Sequence, residues 1–167
     1  MNIYTSDEQL HREHAAQCRR DRFMTRWILT GQQPKDRKAF GHAIETDIIT
    51  RLRASGYSVT RSAANEHFDA LVNGLRVEIK AASWSGHRYQ AALRSNDADV
   101  LILCCRNEDG HTSYFIMPFE TVSGLKHIKI SSDPKTYTGR HSAWLEAWSL
   151  IDQLIARGIN HWQPALL

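Results

Sequence analysis

Apolar positions change period along the chain. Between about Lys35 and Ser55, Phe40, Ile44, Ile48 and Leu52 recur every four residues, and Ala43 and Ile49 widen the stripe. That spacing predicts an amphipathic helix, ended by Gly56, which suits the left-handed residue that closes a helix. From Tyr57 the period drops to two. Tyr57–Ser62 reads as a strand and Ala63–His67 as a loop. Phe68–Lys80, FDALVNGLRVEIK, reads as two alternating runs joined by Asn73-Gly74. Asn-Gly favours a two-residue type I′ turn, because both central residues need positive φ. The turn sets a register of Val72 opposite Leu75, Leu71 opposite Arg76, Ala70 opposite Val77 and Asp69 opposite Glu78. Ala70, Val72, Leu75, Val77 and Ile79 then share a core face, and Asp69, Glu78 and Lys80 share the other.

Further along, Tyr89–Leu93 is a candidate strand and Ser95–Asp99 a turn. Val100–Cys105 is an unbroken apolar run, as expected of a central strand covered on both faces. Tyr114–Met117, ended by Pro118, and Leu125–Ile130, carrying Lys126 and Lys129, read as a strand and a final edge strand. After a polar loop, Ser142 to about Arg157 is expected to be helical, with Trp144, Trp148, Ile151 and Ile155 as its apolar stripe and Gly158 as its stop. At the other end, Ser6-Asp7-Glu8-Gln9 resembles a capping box that opens a helix to about Leu29. The expected organisation is an N-terminal helical arm over residues 1–33 and one α/β domain over 34–167, a mixed sheet flanked by helices.

Composition changes this picture little. The 167 residues are 42% hydrophobic and 23% charged, ordinary for a globular chain. The net charge of +3 is unevenly placed: residues 1–40 carry eight Lys/Arg against five Asp/Glu, and the remainder carries thirteen of each. That bias suits a polyanionic partner. Cys18, Cys104 and Cys105 have neither a zinc spacing nor a disulfide framework, and the last two end the apolar run. No signal peptide or membrane-length apolar run is visible, so a cytoplasmic protein is expected. There is no P-loop, GxSxG or HExxH motif.

The chemistry concentrates on the hairpin. Opposed like charges destabilise a strand pair, so Asp69 beside Glu78 makes most sense with a cation between them. Asp69 followed by Glu78-Ile79-Lys80, with Glu45 on the preceding helix, resembles the PD-(D/E)xK motif of the restriction-endonuclease-like nuclease superfamily. The leading proline is absent; the pair here is Phe68-Asp69. The resemblance spans roughly Gly41 to Pro118 and implies a restriction-endonuclease-like core. It also implies Mg2+, replaceable by Mn2+, held by Asp69, Glu78 and the Ile79 main-chain carbonyl. Glu45 would act through water or on a second ion, and Lys80 would orient the attacking water.

Outside the motif, Arg12, Arg19, Arg22 and Arg26 share one side of the first helix. They read either as phosphate contacts or as a solvated face. Trp84, Arg88, Tyr89 and Gln90 are candidate nucleic-acid contacts, with edge packing as the other reading of the two aromatics. The resulting expectation is a Mg2+-dependent endonuclease cutting duplex DNA at specific sites, with two active sites in a homodimer. A structure-selective nuclease of Holliday-junction-resolvase type, a non-catalytic nucleic-acid-binding module and a plain structural domain are the alternatives.

Overall fold

The computed structural model describes residues 37–94, 97–106, 111–131 and 133–158; the expected N-terminal arm, with Arg12, Arg19, Arg22 and Arg26, lies outside them. Over these residues the chain runs α1 (Arg37–Ala54), β1 (Val59–Arg61), β2 (Ala70–Val72), β3 (Leu75–Trp84), β4 (Arg88–Ala92), β5 (Val100–Arg106), β6 (Thr112–Pro118), β7 (His127–Ser131) and α2 (Ser149–Ala156). The strands form one seven-stranded sheet. Its path is β1-β2-β3-β4-β7, with β5 paired to β3 and β6 to β5. β3 and β5 run parallel and the other ladders are antiparallel. The fold is thus the mixed α/β type that the pattern predicts.

β5 explains its own sequence. Val100, Ile102 and Cys104 enter the core that α1 and α2 cover. Leu101, Leu103 and Cys105 enter a second core on the other face, with Phe115, Met117, Ile128 and Ile130. Both faces are buried, so the run has no polar alternation. The predicted stripe of α1 is the buried one: Phe40, Ile44, Ile48, Ile49 and Leu52. Gly56 takes φ 93°, and the N–H of Tyr57 closes back onto the Leu52 carbonyl at 3.2 Å. Cys104 and Cys105 are buried free thiols.

Two expectations are corrected. The strand after the Asn-Gly turn does not stop at Lys80; it continues to Trp84 because β5 pairs alongside it as far as Ala82. The C-terminal helix is shorter than its pattern. Leu145 bridges Phe115, and Glu146 sits at φ 51°, accepting the Tyr114 N–H at 2.9 Å and the Trp148 indole N–H at 2.8 Å. These contacts hold Glu146 in a left-handed turn after the extended Leu145, and regular helix begins only at Ser149. Trp148 packs instead under Arg51 of α1, whose guanidinium carbon lies 4.1 Å from the ring centre. That contact ties α1 to the segment that leads into α2.

Candidate active site

The hairpin forms as predicted at its tip. Asn73 and Gly74 take φ 46° and 89°, and the register is Val72–Leu75, Leu71–Arg76 and Ala70–Val77. Asn73 Oδ1 also accepts the Ser58 N–H at 2.7 Å, which fastens the turn to the chain entering β1. The ladder stops at Ala70. In an uninterrupted ladder Asp69 would turn its N–H away from β3; here that N–H donates to the Val77 carbonyl at 2.9 Å. The Ser62 hydroxyl donates to the Phe68 carbonyl, the acceptor that Ile79 would otherwise use. Ile79 instead donates its N–H to Asp69 Oδ2 at 2.7 Å. The side-by-side pairing of Asp69 with Glu78 is therefore not formed. The Asp69 carboxylate sits on the edge of β3.

That edge is where the sheet leaves space. The β2 ladder on β3 ends at Val77 and the β4 ladder begins at Ser83. Between them residues 78–82 pair only with β5. The N–H and C=O of one strand residue leave on the same edge, so the Ile79 carbonyl lies on the edge that meets Asp69.

Glu78 is 6% exposed. Burial raises its pKa above the usual carboxylate value; the Lys80 hydrogen bond and charge pull it back, while the charges of Asp69 and Glu45 push it up further. The half-buried Lys80 places its ammonium against Glu78 Oε1. One ammonium therefore faces a buried carboxylate with two more carboxylates in electrostatic reach. Glu45, at the edge of the α1 stripe, is the most compensated of the three. Its Oε2 accepts from Arg61 at 2.9 Å, and Arg61 also donates to Thr46 Oγ1 at 3.1 Å.

Glu45, Ile79 and Lys80 line a groove of about 570 Å³ together with Ser83, Trp84, Gln90 and His127, among others. Among the described residues no three histidine, cysteine or carboxylate side chains converge closely enough to enclose an ion. What the site offers is two carboxylates and a main-chain carbonyl. That set suits Mg2+, which keeps several waters and commonly takes one or two protein carboxylates; it does not suit a fully protein-enclosed ion.

The expected nucleic-acid contacts divide. Trp84 and Gln90 line the groove. Tyr89 is 5% exposed and its hydroxyl donates to the Arg106 carbonyl at 2.7 Å. Its ring packs tilted against Trp84, 4.9 Å between centres, so Tyr89 is a wall residue and has no face for a base. Arg88 is half-buried, and its Nε is buried without a hydrogen-bond partner. The structure adds two residues to the site. Arg61, which fixes Glu45, is brought up by the β1 ladder with no local signal. His127 shares a face of β7 with Lys129, but no local signal marks either residue for the site.

No family model matches the sequence, and no curated protein matches it. Among solved structures the chain is similar to a bacterial homing endonuclease, I-Ssp6803I. The TM-score is 0.61 at 20% identity, over 73% of this chain and 97% of that one. At this identity the likeness is one of fold.

Proposed function

We propose that this chain is a Mg2+-dependent DNA endonuclease of the PD-(D/E)xK type, hydrolysing phosphodiester bonds in duplex DNA. The observation that carries the reading is the buried Glu78, held against Lys80 on the one stretch of β3 whose open edge presents Asp69 and the Ile79 carbonyl. Burying a carboxylate near others is unfavourable unless a cation compensates; Arg61 serves Glu45, which leaves Lys80 to serve Glu78 with Asp69 close by. Asp69, Glu78 and the Ile79 carbonyl would hold Mg2+ or Mn2+, with Glu45 reaching it through water or serving a second ion. A bound ion of this kind polarises a phosphate and lowers the pKa of a coordinated water.

The protein's own groups do the rest. The Ile79 N–H fixes the Asp69 carboxylate through one oxygen and leaves the other to face a ligand. Lys80 lines the groove, where its ammonium can orient an attacking water and stabilise the charge that grows on the phosphorus oxygens. Arg61 holds Glu45 in place. The fold shared with a homing endonuclease supports a duplex substrate cut at specific sites, and cutting both strands calls for two sites in a homodimer.

The test is to incubate purified protein with supercoiled plasmid, a four-way junction and single-stranded DNA, each with Mg2+ or with chelator. Discrete plasmid fragments only in Mg2+ are the expected result. Cleavage confined to the junction would replace the substrate with a branched one, and binding without cleavage in either Mg2+ or Mn2+ would overturn the enzymatic reading.

A further inference from the structure

A second hollow adjoins the groove. It has a volume of about 290 Å³ and is lined by Leu125, His127, Lys129, Tyr137, Arg140 and His141. His127 lines both spaces, so they meet at β7. The sheet explains the connection. Ser83 pairs with Gln90, and Gln90 pairs with Lys129; residues paired across a ladder point to the same face. Ser83, Gln90 and Lys129 thus make a row across three strands, leading out from the end of β3 three residues beyond Lys80. At a strand spacing of about 4.8 Å, Lys129 stands roughly 10 Å from Ser83.

The hollow is cationic. Its lining contains a lysine, an arginine and two histidines and no carboxylate. Lys129 and Arg140 are exposed, whereas His141 is 4% exposed. Burial, and then the neighbouring Arg140 charge, lower the pKa of His141; a neutral imidazole still offers one N–H to an oxyanion. Tyr137 forms a wall. Its ring meets Phe115 edge-on at 6.0 Å between centres and lies directly over Gly139, where an added Cβ would stand 2.2 Å from the phenol oxygen. The glycine lets the wall close down. A pocket with two fixed positive charges, imidazole donors and no carboxylate in its lining is built for an anion.

We propose that His127, Lys129, Arg140 and His141 form a phosphate subsite that holds the DNA backbone a few nucleotides from the scissile bond. Ser83 lies three residues beyond Lys80, about 10 Å along β3, so Lys129 stands roughly 14 Å from Lys80, a span of a few nucleotides. The proposal rests on the endonuclease reading for the identity of its ligand. It adds where the strand runs after it leaves Lys80.

The test measures duplex binding by full-length wild type and by Lys129→Gln/Arg140→Gln across 50–200 mM salt, in chelator so that no cleavage occurs. Plasmid cleavage by wild type in Mg2+ is measured in parallel. Each phosphate contact contributes about 0.9 to the slope of log K against log salt. The double variant is therefore expected to bind at least tenfold more weakly at low salt, with a slope shallower by about 0.9, the share of one phosphate. Lys129→Arg, which keeps the charge, should restore most of the slope of the Lys129→Gln single variant. Superimposable curves for wild type and double variant would overturn the subsite even if wild type cleaves plasmid. A shallower slope with no cleavage by wild type would keep the subsite and overturn the endonuclease reading. Failure of wild type to bind duplex would overturn both.

Discussion

Glu78 is the residue on which the site turns. Its folded-state pKa lies above the value for an unfolded chain. Between those two pH values the folded protein holds more protons, so this group makes wild-type stability fall as pH rises. Glu78→Gln removes the slope. The melting-temperature advantage of the variant should be small near pH 4 and grow toward neutrality, and adding Mg2+ should shrink it by stabilising wild type alone. Scanning calorimetry across pH reads both effects; a constant difference between the proteins would remove the buried charge as the cause. Lys80→Ala separates catalyst from ligand. Metal should still raise its melting temperature, while the plasmid-cleavage rate should fall by roughly 10²–10³, the scale of losing one group that stabilises transition-state charge.

At the scale of elements, the hairpin and α1 bring the site together, and how much of this the sequence reveals differs between them. The α1 stripe, the Asn-Gly turn and the doubly buried β5 were legible because each depends on a local period or a turn chemistry. The bulge at Asp69 was not, since it arises when Ser62, from another strand's end, takes the carbonyl that Ile79 would use. The late start of the C-terminal helix was hidden for the same reason: Glu146 is captured by Tyr114 through a tertiary contact. Glu45 was legible as a carboxylate at a stripe's edge, but its partner Arg61 was not.

Two changes test these elements. Gly74→Ala meets no neighbour within 4 Å, so it costs only the strain of a left-handed backbone, about 1–2 kcal/mol; chemical denaturation should show that loss, and an unchanged midpoint would rule out the turn geometry. Glu45→Gln loses an ion pair that is partly exposed and so worth under about 1 kcal/mol. It should leave the melting temperature nearly unchanged while lowering the Mg2+-dependent cleavage rate at least tenfold; wild-type cleavage would reduce Glu45 to a partner of Arg61.

Across the whole molecule, one sheet serves two purposes. Its β5 centre is sealed by cores on both faces, while the gap on β3 and the row out to β7 stay open to a ligand. The groove and the cationic hollow meet on that open side, joined at His127. No described helix is long and apolar enough to cross a membrane. The proposed function puts its chemical centre at the gap, and Asp69→Asn tests it most directly, because it removes one charge with almost no change of shape and leaves an amide oxygen for the Ile79 N–H. Single-turnover plasmid cleavage in Mg2+ should fall by at least about 10³ relative to wild type, with metal-free melting no lower than wild type. Cleavage by Asp69→Asn at the wild-type rate would contradict a metal-dependent centre at this edge of β3.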